Sequence, residues 1–261
     1  MRGEPRYLWF TIVTLVSIVL VTSASPGSLL LMAGVATAAL CLIATAYVLM
    51  RSRRQFVAVT LVGLAAMLPV VYFVLFPRTA EPHWANRIYV MNVSLWLLFT
   101  GRVALMVFRG IMKARRIGGN EVYGAIYVYL LIGVLFAQMY QVLLAADPGA
   151  LYFDPGRFPA PQVLGPGLYT RGAGDILYYS FVTLGTVGYG DVTPSSALAR
   201  SMSLIEAVTG IMYVATMIAR FVSIQISADH RGAQPPSPAA APMRSPSSEG
   251  LTARTRREDS T

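Results

Sequence analysis

The segment TVGYG, residues 186–190, places two glycines at alternate positions around a tyrosine. In a helix interior each glycine costs about 1 kcal/mol relative to alanine, so the segment is not predicted to be helical. Alternate glycines do allow positive φ at no steric cost, and the chain can then stack its carbonyl oxygens at regular spacing. Such oxygens can replace the water around a dehydrated cation without binding the cation irreversibly. The segment therefore predicts coordination of a cation by the backbone.

A short apolar run, residues 175–185, comes immediately before this segment. At the rise of an α-helix, a run of this length crosses only about half of the roughly 30 Å hydrocarbon core of a bilayer. The run therefore predicts a re-entrant helix that begins at Gly174 and Asp175. The helix dipole stabilises the Asp175 carboxylate at the start of the helix and favours a cation near its end.

The composition is that of a membrane protein. Of the 261 residues, 55% are hydrophobic and 13% are charged, whereas soluble domains average about 25% charged residues. The net charge of +9 comes from basic residues that cluster between apolar stretches. That distribution follows the positive-inside rule, so the bilayer and not nucleic acid is the predicted partner. The single cysteine, Cys41, excludes a disulfide within the chain and a cysteine-rich metal site.

Six apolar stretches are long enough, or nearly so, to cross a bilayer. They cover residues 7–23, 28–50, 55–76, 88–108, 122–145 and 197–226. Arginines follow the second and fourth stretches, which places both termini in the cytoplasm of a multi-pass protein of the inner or plasma membrane. An alternative for the first stretch is a secretory signal peptide cleaved near Ala24.

Two segments lack apolar periodicity. Residues 146–173 form a loop rich in proline and glycine on the outer side. Residues 228–261 have almost no large apolar side chains, so they cannot bury a core and are predicted to be a disordered cytoplasmic tail.

Residues 122–226 resemble the two-helix pore module of the potassium-channel superfamily, and TVGYGD at 186–191 carries the resemblance. The fold class that this implies is an all-α membrane protein, with four N-terminal transmembrane helices before an outer helix, pore helix, filter and inner helix. The domains would be a four-helix region with its linker, the pore domain and the tail, at 1–121, 122–227 and 228–261. Within the pore domain the parts are the outer helix, outer loop, pore helix, filter and inner helix, at 122–145, 146–173, 175–185, 186–190 and 197–226.

The resemblance also implies roles for individual residues. K⁺ would be bound by filter carbonyls, those of Thr186, Val187, Gly188 and Tyr189, within a filter that ends at Gly190. The Thr186 hydroxyl would close the inner ion site, the Tyr189 ring would pack behind the filter, and Asp191 would anchor the filter or concentrate cations at its mouth. Because four such loops line one pore, a homotetramer is implied, with K⁺ as the permeant ion and no cofactor. One departure is Gly185, where many family members carry a hydroxyl residue.

Two residues of the last span are candidates for gating. Gly210 matches the hinge position of family inner helices, although a glycine there can also simply permit close helix packing. Glu206 is the only acidic residue deep in a predicted span, and an intramembrane carboxylate is a functional hypothesis by default. It could bond to the pore helix, be protonated or face the cavity, and periodicity does not choose among these.

A voltage sensor is not predicted. Such a sensor needs arginines at every third position of its fourth helix, but the steps after Arg102 reach Leu105 and Phe108. Basic residues do follow the fourth span at helical spacing, namely Arg109, Lys113 and Arg116. They predict an amphipathic linker on the inner leaflet or simple positive-inside anchoring.

The predicted function is that of a potassium-selective channel and not of an enzyme. No spaced nucleophile and base are present, and neither His83 nor His230 has a metal-ligating partner at suitable spacing. Two alternatives stay open. One is a weakly selective cation channel, and the other is a membrane sensing or interaction protein with a secondary pore.

Overall fold

The computed structural model describes residues 6–23, 29–49, 61, 82–114, 118–158, 162–165, 168–170 and 172–232. The helices with defined bounds are α1 (Arg6–Ser23), α2 (Leu29–Leu49), α3 (Pro82–Met112), α4 (Gly119–Ala146), α5 (Ala173–Leu184) and α6 (Ala197–Gly232). The strands are β1 (Leu151–Phe153), β2 (Gln162–Gly165), β3 (Leu168–Thr170) and β4 (Val192–Pro194). The chain divides into two compact units, residues 1–225 and residues 226–261, and the contacts below lie within the first.

Three helical stretches are long and apolar enough to cross a membrane: Asn86–Met112, Gly119–Ala146 and Ala197–Ile226. Two shorter apolar helices, Tyr7–Ser23 and Ala33–Tyr47, precede them. The chain is therefore a mostly helical, multi-pass membrane protein. The predicted span at 55–76 lies outside the described residues, as does the predicted tail beyond residue 232.

Helix α1 packs against helices of its own chain. It contacts α2, α4 and α5. The backbone N–H of Tyr7 donates to Asn120 Oδ1 at 3.1 Å, and the Thr11 hydroxyl lies 3.0 Å from the carbonyl oxygen of Tyr123. Helix α1, the first predicted span, is thus hydrogen-bonded to the start of α4, the predicted outer helix.

Two buried clusters form the core. One surrounds α5 and joins it to α4, β1, β4 and α6; its largest fully buried apolar side chains include Tyr140 and Ile176. The other joins α2, α3 and α4, with Val103 and Tyr127 fully buried. Helix α5 therefore lies inside protein over most of its length, as the backbone of a re-entrant helix requires.

The predicted outer loop contains regular structure that the sequence did not predict. Strand β1 pairs antiparallel with β4, with Tyr152 opposite Thr193, and β2 pairs antiparallel with β3. The N–H of Asp154 donates to the carbonyl of Asp191 at 2.9 Å, which extends the contact between the outer loop and the residues after the filter. The all-α description therefore holds for the described apolar spans but not for the outer loop or for residues 192–194.

Helix α3 ends near the start of the predicted amphipathic linker. Its last helical residue is Met112, and Lys113 lies in a turn in which its N–H still donates to the Arg109 carbonyl at 3.2 Å. The Arg220 guanidinium donates to the carbonyls of Met112 and Ala114 at 2.6 and 3.2 Å, which stabilises the helix end. Arg109 and Lys113 are one hydrogen-bonded turn apart, but Arg116 lies outside the described residues, so the amphipathic linker stays a prediction. Positive-inside anchoring stays a prediction.

Candidate ion-coordination site

The pore helix predicted at 175–185 corresponds to α5, Ala173–Leu184, and Asp175 lies in its first turn. Gly185 follows as the C-cap with a φ of −79°, and its N–H donates to the Phe181 carbonyl at 3.0 Å. The N–H of Val187 donates to the Val182 carbonyl at 2.9 Å, so the chain leaves the helix through a tight hydrogen-bonded turn.

Backbone φ alternates in sign along residues 186–190, which we call the filter segment. Thr186, Gly188 and Gly190 have φ values of 55°, 58° and 79°. Among the described residues, Thr186 is the only non-glycine with positive φ, so Val187 and Tyr189 keep negative values. Successive peptide groups face the same way when the sign of φ alternates in this manner. The filter segment can therefore present a row of carbonyl oxygens to one side.

The glycines of the filter segment are required by conformation and not by space. A Cβ added at Gly188 or Gly190 would meet no heavy atom within 4 Å. A side chain at such positive φ would still cost about 1–2 kcal/mol per residue. Thr186 carries a strain of this kind, and strained backbone of this sort clusters at functional sites.

Within a single chain the filter segment is exposed. Val187 and Tyr189 expose 53% and 66% of their surfaces, although both side chains are large and apolar or aromatic. Within the described residues, α5 contacts the segment through hydrogen bonds from the N–H groups of Thr186 and Val187 and through the Tyr189 ring, which stacks on Tyr178 with 6.4 Å between centroids and 4° between planes. The packing predicted behind the filter is thus provided on one side by α5.

Asp191, directly after the filter segment, is held by hydrogen bonds. Tyr178 of α5 donates to its Oδ2 at 2.7 Å, and the N–H of Val192 donates to its Oδ1 at 3.0 Å. The Asp191 side chain is only 9% exposed, and Nη1 of Arg157, in the outer loop, lies 4.0 Å from its Oδ2. This arrangement connects the outer end of the segment to the helix that precedes it.

Gly210 of α6 lies against the end of α5. A Cβ at this position would be 2.2 Å from the carbonyl oxygen of Leu184 and 3.1 Å from Leu184 Cδ1. The absence of a side chain therefore permits the closest approach between the two helices. This geometry favours the packing interpretation of Gly210, and a hinge at the same residue stays a prediction.

Glu206 lies one helical turn before Gly210 and is fully buried. Tyr140 of α4 donates to its Oε2 at 2.7 Å, and Ser180 Oγ of α5 is within hydrogen-bonding distance of its Oε1. The sequence left three possible environments for Glu206, and the structure places its carboxyl group in contact with α5, the predicted pore helix. The carboxyl group joins three helices.

Several residues of this region were missed by sequence reasoning. Ser180, Tyr140 and Arg220 each make long-range hydrogen bonds to other helices. A polar side chain within an apolar span is the one signal that could have selected them. The spacing within one helix carries no information about the partner on another, so the contacts themselves were not predictable.

The comparisons with known proteins concern the same region. Residues 163–226 match a protein family described as "Ion channel". Two-pore potassium channel 4 of Arabidopsis thaliana is 36% identical over 53 residues, which are 20% of this chain and 19% of that protein. Two pore potassium channel c of Oryza sativa subsp. japonica is 38% identical over 64 residues, 22% of this chain and 14% of that protein.

The chain spans less than a fifth of the length of these curated relatives. No solved structure is significantly similar to it. The matched residues include the last part of the outer loop, α5, the filter segment and most of α6. The family match and the two relatives confirm the resemblance drawn from the sequence: this part of the chain is similar to the pore module of potassium channels.

Proposed function

We propose that four copies of this chain surround one axis and conduct K⁺ passively and selectively across the membrane. The ion ligands are the carbonyls of four filter-segment residues: Thr186, Val187, Gly188 and Tyr189. The Thr186 hydroxyl closes the inner site and Gly190 ends the row. Asp191 and Asp175 support the segment from its outer end and from the start of α5.

The alternation of φ along residues 186–190 is the observation that carries this proposal. A strained segment of exposed backbone is costly unless its carbonyls have a ligand. Carbonyl rings of this kind replace the hydration shell of K⁺. The buried α5 supports the proposal further, because its C-terminal end carries about half a negative charge, which favours a cation nearby.

The homotetramer is supported by the surface that a single chain leaves uncovered. Within the described residues, 11% of the most apolar stretch of α6 is buried, against 44% for α4. Both stretches have similar mean hydropathy, 1.6 and 1.9. Lipid covers part of the exposed face of α6, and in the proposed assembly the inner helices of other subunits and the ion cavity cover the rest.

The proposed architecture keeps the three regions predicted from the sequence, 1–121, 122–227 and 228–261. Four transmembrane helices precede the pore module, and the tail lies in the cytoplasm of a cell whose inner or plasma membrane holds the channel. Gating takes place where the inner helices converge, near Gly210. The first helices act without an arginine ladder.

The test is cation flux into liposomes that contain the purified full-length chain, with K⁺ and Na⁺ compared under the same gradient. We expect K⁺ to enter at least about tenfold faster than Na⁺. Gly188→Ala introduces a side chain at a φ of 58° and should abolish the flux. The matched control is Gly101→Ala in α3, whose added Cβ would lie at an ordinary 3.7 Å from Leu135.

Three results would contradict the proposal in different ways. Equal fluxes of K⁺ and Na⁺ would favour the weakly selective cation channel, in which Gly185 loosens the filter. A protein that assembles with a stoichiometry other than four, measured by native mass spectrometry, would remove the four-fold pore. An absence of flux at every voltage and pH would favour the sensing or interaction protein.

A further inference from the structure

Glu206 lies at the junction of the outer, pore and inner helices. Its side chain has no exposed surface. Its Oε2 accepts the hydrogen bond from Tyr140, and its Oε1 pairs with Ser180. Ser180, its partner on α5, lies six residues before Thr186, the first residue of the filter segment.

The hydroxyl of Ser180 has more partners than it has hydrogens. Its Oγ lies 2.7 Å from the carbonyl oxygen of Gly133 in α4 and also contacts Glu206 Oε1. A serine hydroxyl carries one hydrogen, and both partners would be acceptors if the Glu206 carboxyl were ionised. One of two short buried contacts would then have no hydrogen. If the carboxyl is protonated, it donates to Ser180 Oγ, and Ser180 donates to Gly133.

The neighbouring hydroxyls have no spare hydrogen to offer. Tyr140 uses its hydrogen toward Glu206 Oε2 at 2.7 Å. Ser203 donates to the Ala199 carbonyl at 2.8 Å and accepts from Tyr179 at 2.6 Å. The contact left over is the long one between Tyr140 and Ser203, 3.3 Å. One additional proton on Glu206 therefore gives every short contact of the cluster a hydrogen.

The electrostatics of the site agree with this hydrogen count. Of the salt bridges within the described part of the chain, none includes Glu206. The titratable groups that face it are tyrosines: Tyr140 and Tyr129 of α4 and Tyr179 of α5. An ionised carboxylate buried without a cationic partner costs several kcal/mol, so such groups are neutral or paired.

We propose that Glu206 is a neutral carboxylic acid whose proton completes a hydrogen-bonded chain through Ser180 to the Gly133 carbonyl. The chain fixes α5 between α4 and α6 and makes Glu206 a positioning residue for the filter segment. Deprotonation at alkaline pH breaks the chain at Ser180 and places a charge behind the filter. The positioning role rests on the proposed function, whereas the protonation state does not.

The protonation state is tested by infrared spectroscopy of the full-length protein in lipid. A protonated carboxyl gives a C=O stretch that an ionised carboxylate lacks. We expect this band at neutral pH in the wild-type protein, its loss in Glu206→Gln, and its disappearance as the pH is raised. If the wild-type and Glu206→Gln spectra contain the same carboxyl bands at neutral pH, Glu206 is ionised and the proposal fails, whatever the protein conducts.

The positioning role is tested by the ratio of K⁺ to Na⁺ flux. Gln offers an N–H to Ser180 and a carbonyl to Tyr140, which is the hydrogen-bond pattern of the neutral acid. Glu206→Ala removes the link between Ser180 and Tyr140 and leaves the Tyr140 hydroxyl only its long contact with Ser203, and we expect it to lower the flux ratio by about tenfold. Glu206→Gln should restore the ratio and remove its decline at alkaline pH.

Two outcomes of the flux measurement separate the possible failures. If Glu206→Gln loses selectivity as fully as Glu206→Ala, the negative charge is what the filter needs, and the neutral-acid proposal is overturned. If the wild-type protein is unselective but its infrared spectrum contains the Glu206 carboxyl band, the proposed function and the positioning role fail while the neutral acid stands.

Discussion

Helix α5 and the filter segment are adjacent in the chain, but within the described residues other helices pack against α5, whereas the filter segment is exposed. The start of α5 touches α1, since a Cβ at Gly174 would be 2.6 Å from the Val21 carbonyl oxygen. Its middle touches α4, where a Cβ at Gly133 would be 2.7 Å from the Phe181 ring. Its end touches α6 at Gly210. Residues 185–190, by contrast, are all exposed.

This difference distinguishes the contacts that a single chain makes within itself from those that the proposed tetramer would add. The helix is supported by packing and hydrogen bonds to other described helices of the same chain. The filter segment has a defined backbone, but the described residues leave open space around it for further contacts. In the proposed tetramer these are ions on the axis and neighbouring subunits. Substitutions that loosen α5, or detach the segment from it, therefore test the comparison directly.

The largest effect on stability is expected at Gly210. In Gly210→Ala the new Cβ would meet the Leu184 carbonyl at 2.2 Å, so α5 and α6 must move apart. Overpacking of this kind costs about 1–3 kcal/mol, and the gain of about 1 kcal/mol in helix propensity offsets only part of it. Thermal unfolding in detergent should therefore begin at a lower temperature than in the Gly101→Ala control.

The same variant distinguishes packing from a hinge. A hinge role predicts that Gly210→Ala changes the fraction of open channels while the unfolding temperature stays as in the wild type. That combination would contradict the packing interpretation of Gly210.

An intermediate effect is expected at Tyr178. Tyr178→Phe removes the hydroxyl that donates to Asp191 at 2.7 Å but keeps the ring that stacks on Tyr189. A hydrogen bond to a charged group contributes about 1.5–3 kcal/mol, and partial exposure places this one at the lower end. We expect the K⁺ to Na⁺ flux ratio to fall several-fold with little change in unfolding temperature.

The control for Tyr178→Phe is Tyr152→Phe in β1, where the tyrosine is 55% exposed. Equal flux ratios for the two variants would show that the hydroxyl of Tyr178 does not hold the filter segment. The comparison between a supported helix and an unsupported segment would then lack its connecting contact.

Much of this architecture is readable from the sequence because membrane burial acts on long runs of residues. The helices α1, α2 and α4 begin and end within a few residues of their predicted spans, since an apolar run must be about as long as the bilayer is thick. The start of α5 lies within two residues of the predicted start at Asp175, because Gly174 and Asp175 mark the beginning of its apolar run. Neither inference needs to know a partner residue.

What could not be predicted depends on contacts between distant residues. Strand β1 is three residues long and gains its definition only by pairing with β4, after the filter segment. The partners of Glu206 lie on two other helices, so its place at a helix junction has no signature in the spacing of α6. The end of α3 is hydrogen-bonded to Arg220, which comes more than a hundred residues later.

The smallest effect is expected at Arg220, outside the filter region. Its guanidinium donates to the carbonyls of Ile111, Met112 and Ala114 at 3.3, 2.6 and 3.2 Å. A cation at a partly exposed helix C-terminus contributes about 0.3–1 kcal/mol, so Arg220→Ala should barely change global unfolding. Amide hydrogen exchange at the end of α3 should nevertheless become faster.

Arg220→Lys is the matched control, because it keeps the positive charge but changes the length and shape of the side chain that places Nη2 among the three carbonyls. We expect its exchange rates to lie between those of the wild type and Arg220→Ala. Faster exchange confined to the end of α3, with the K⁺ to Na⁺ flux ratio unchanged, would place this contact outside the support of the filter segment. A changed flux ratio would instead extend that support along α6 to its C-terminal half, and the difference between α5 and the filter segment would no longer be set by their immediate neighbours alone.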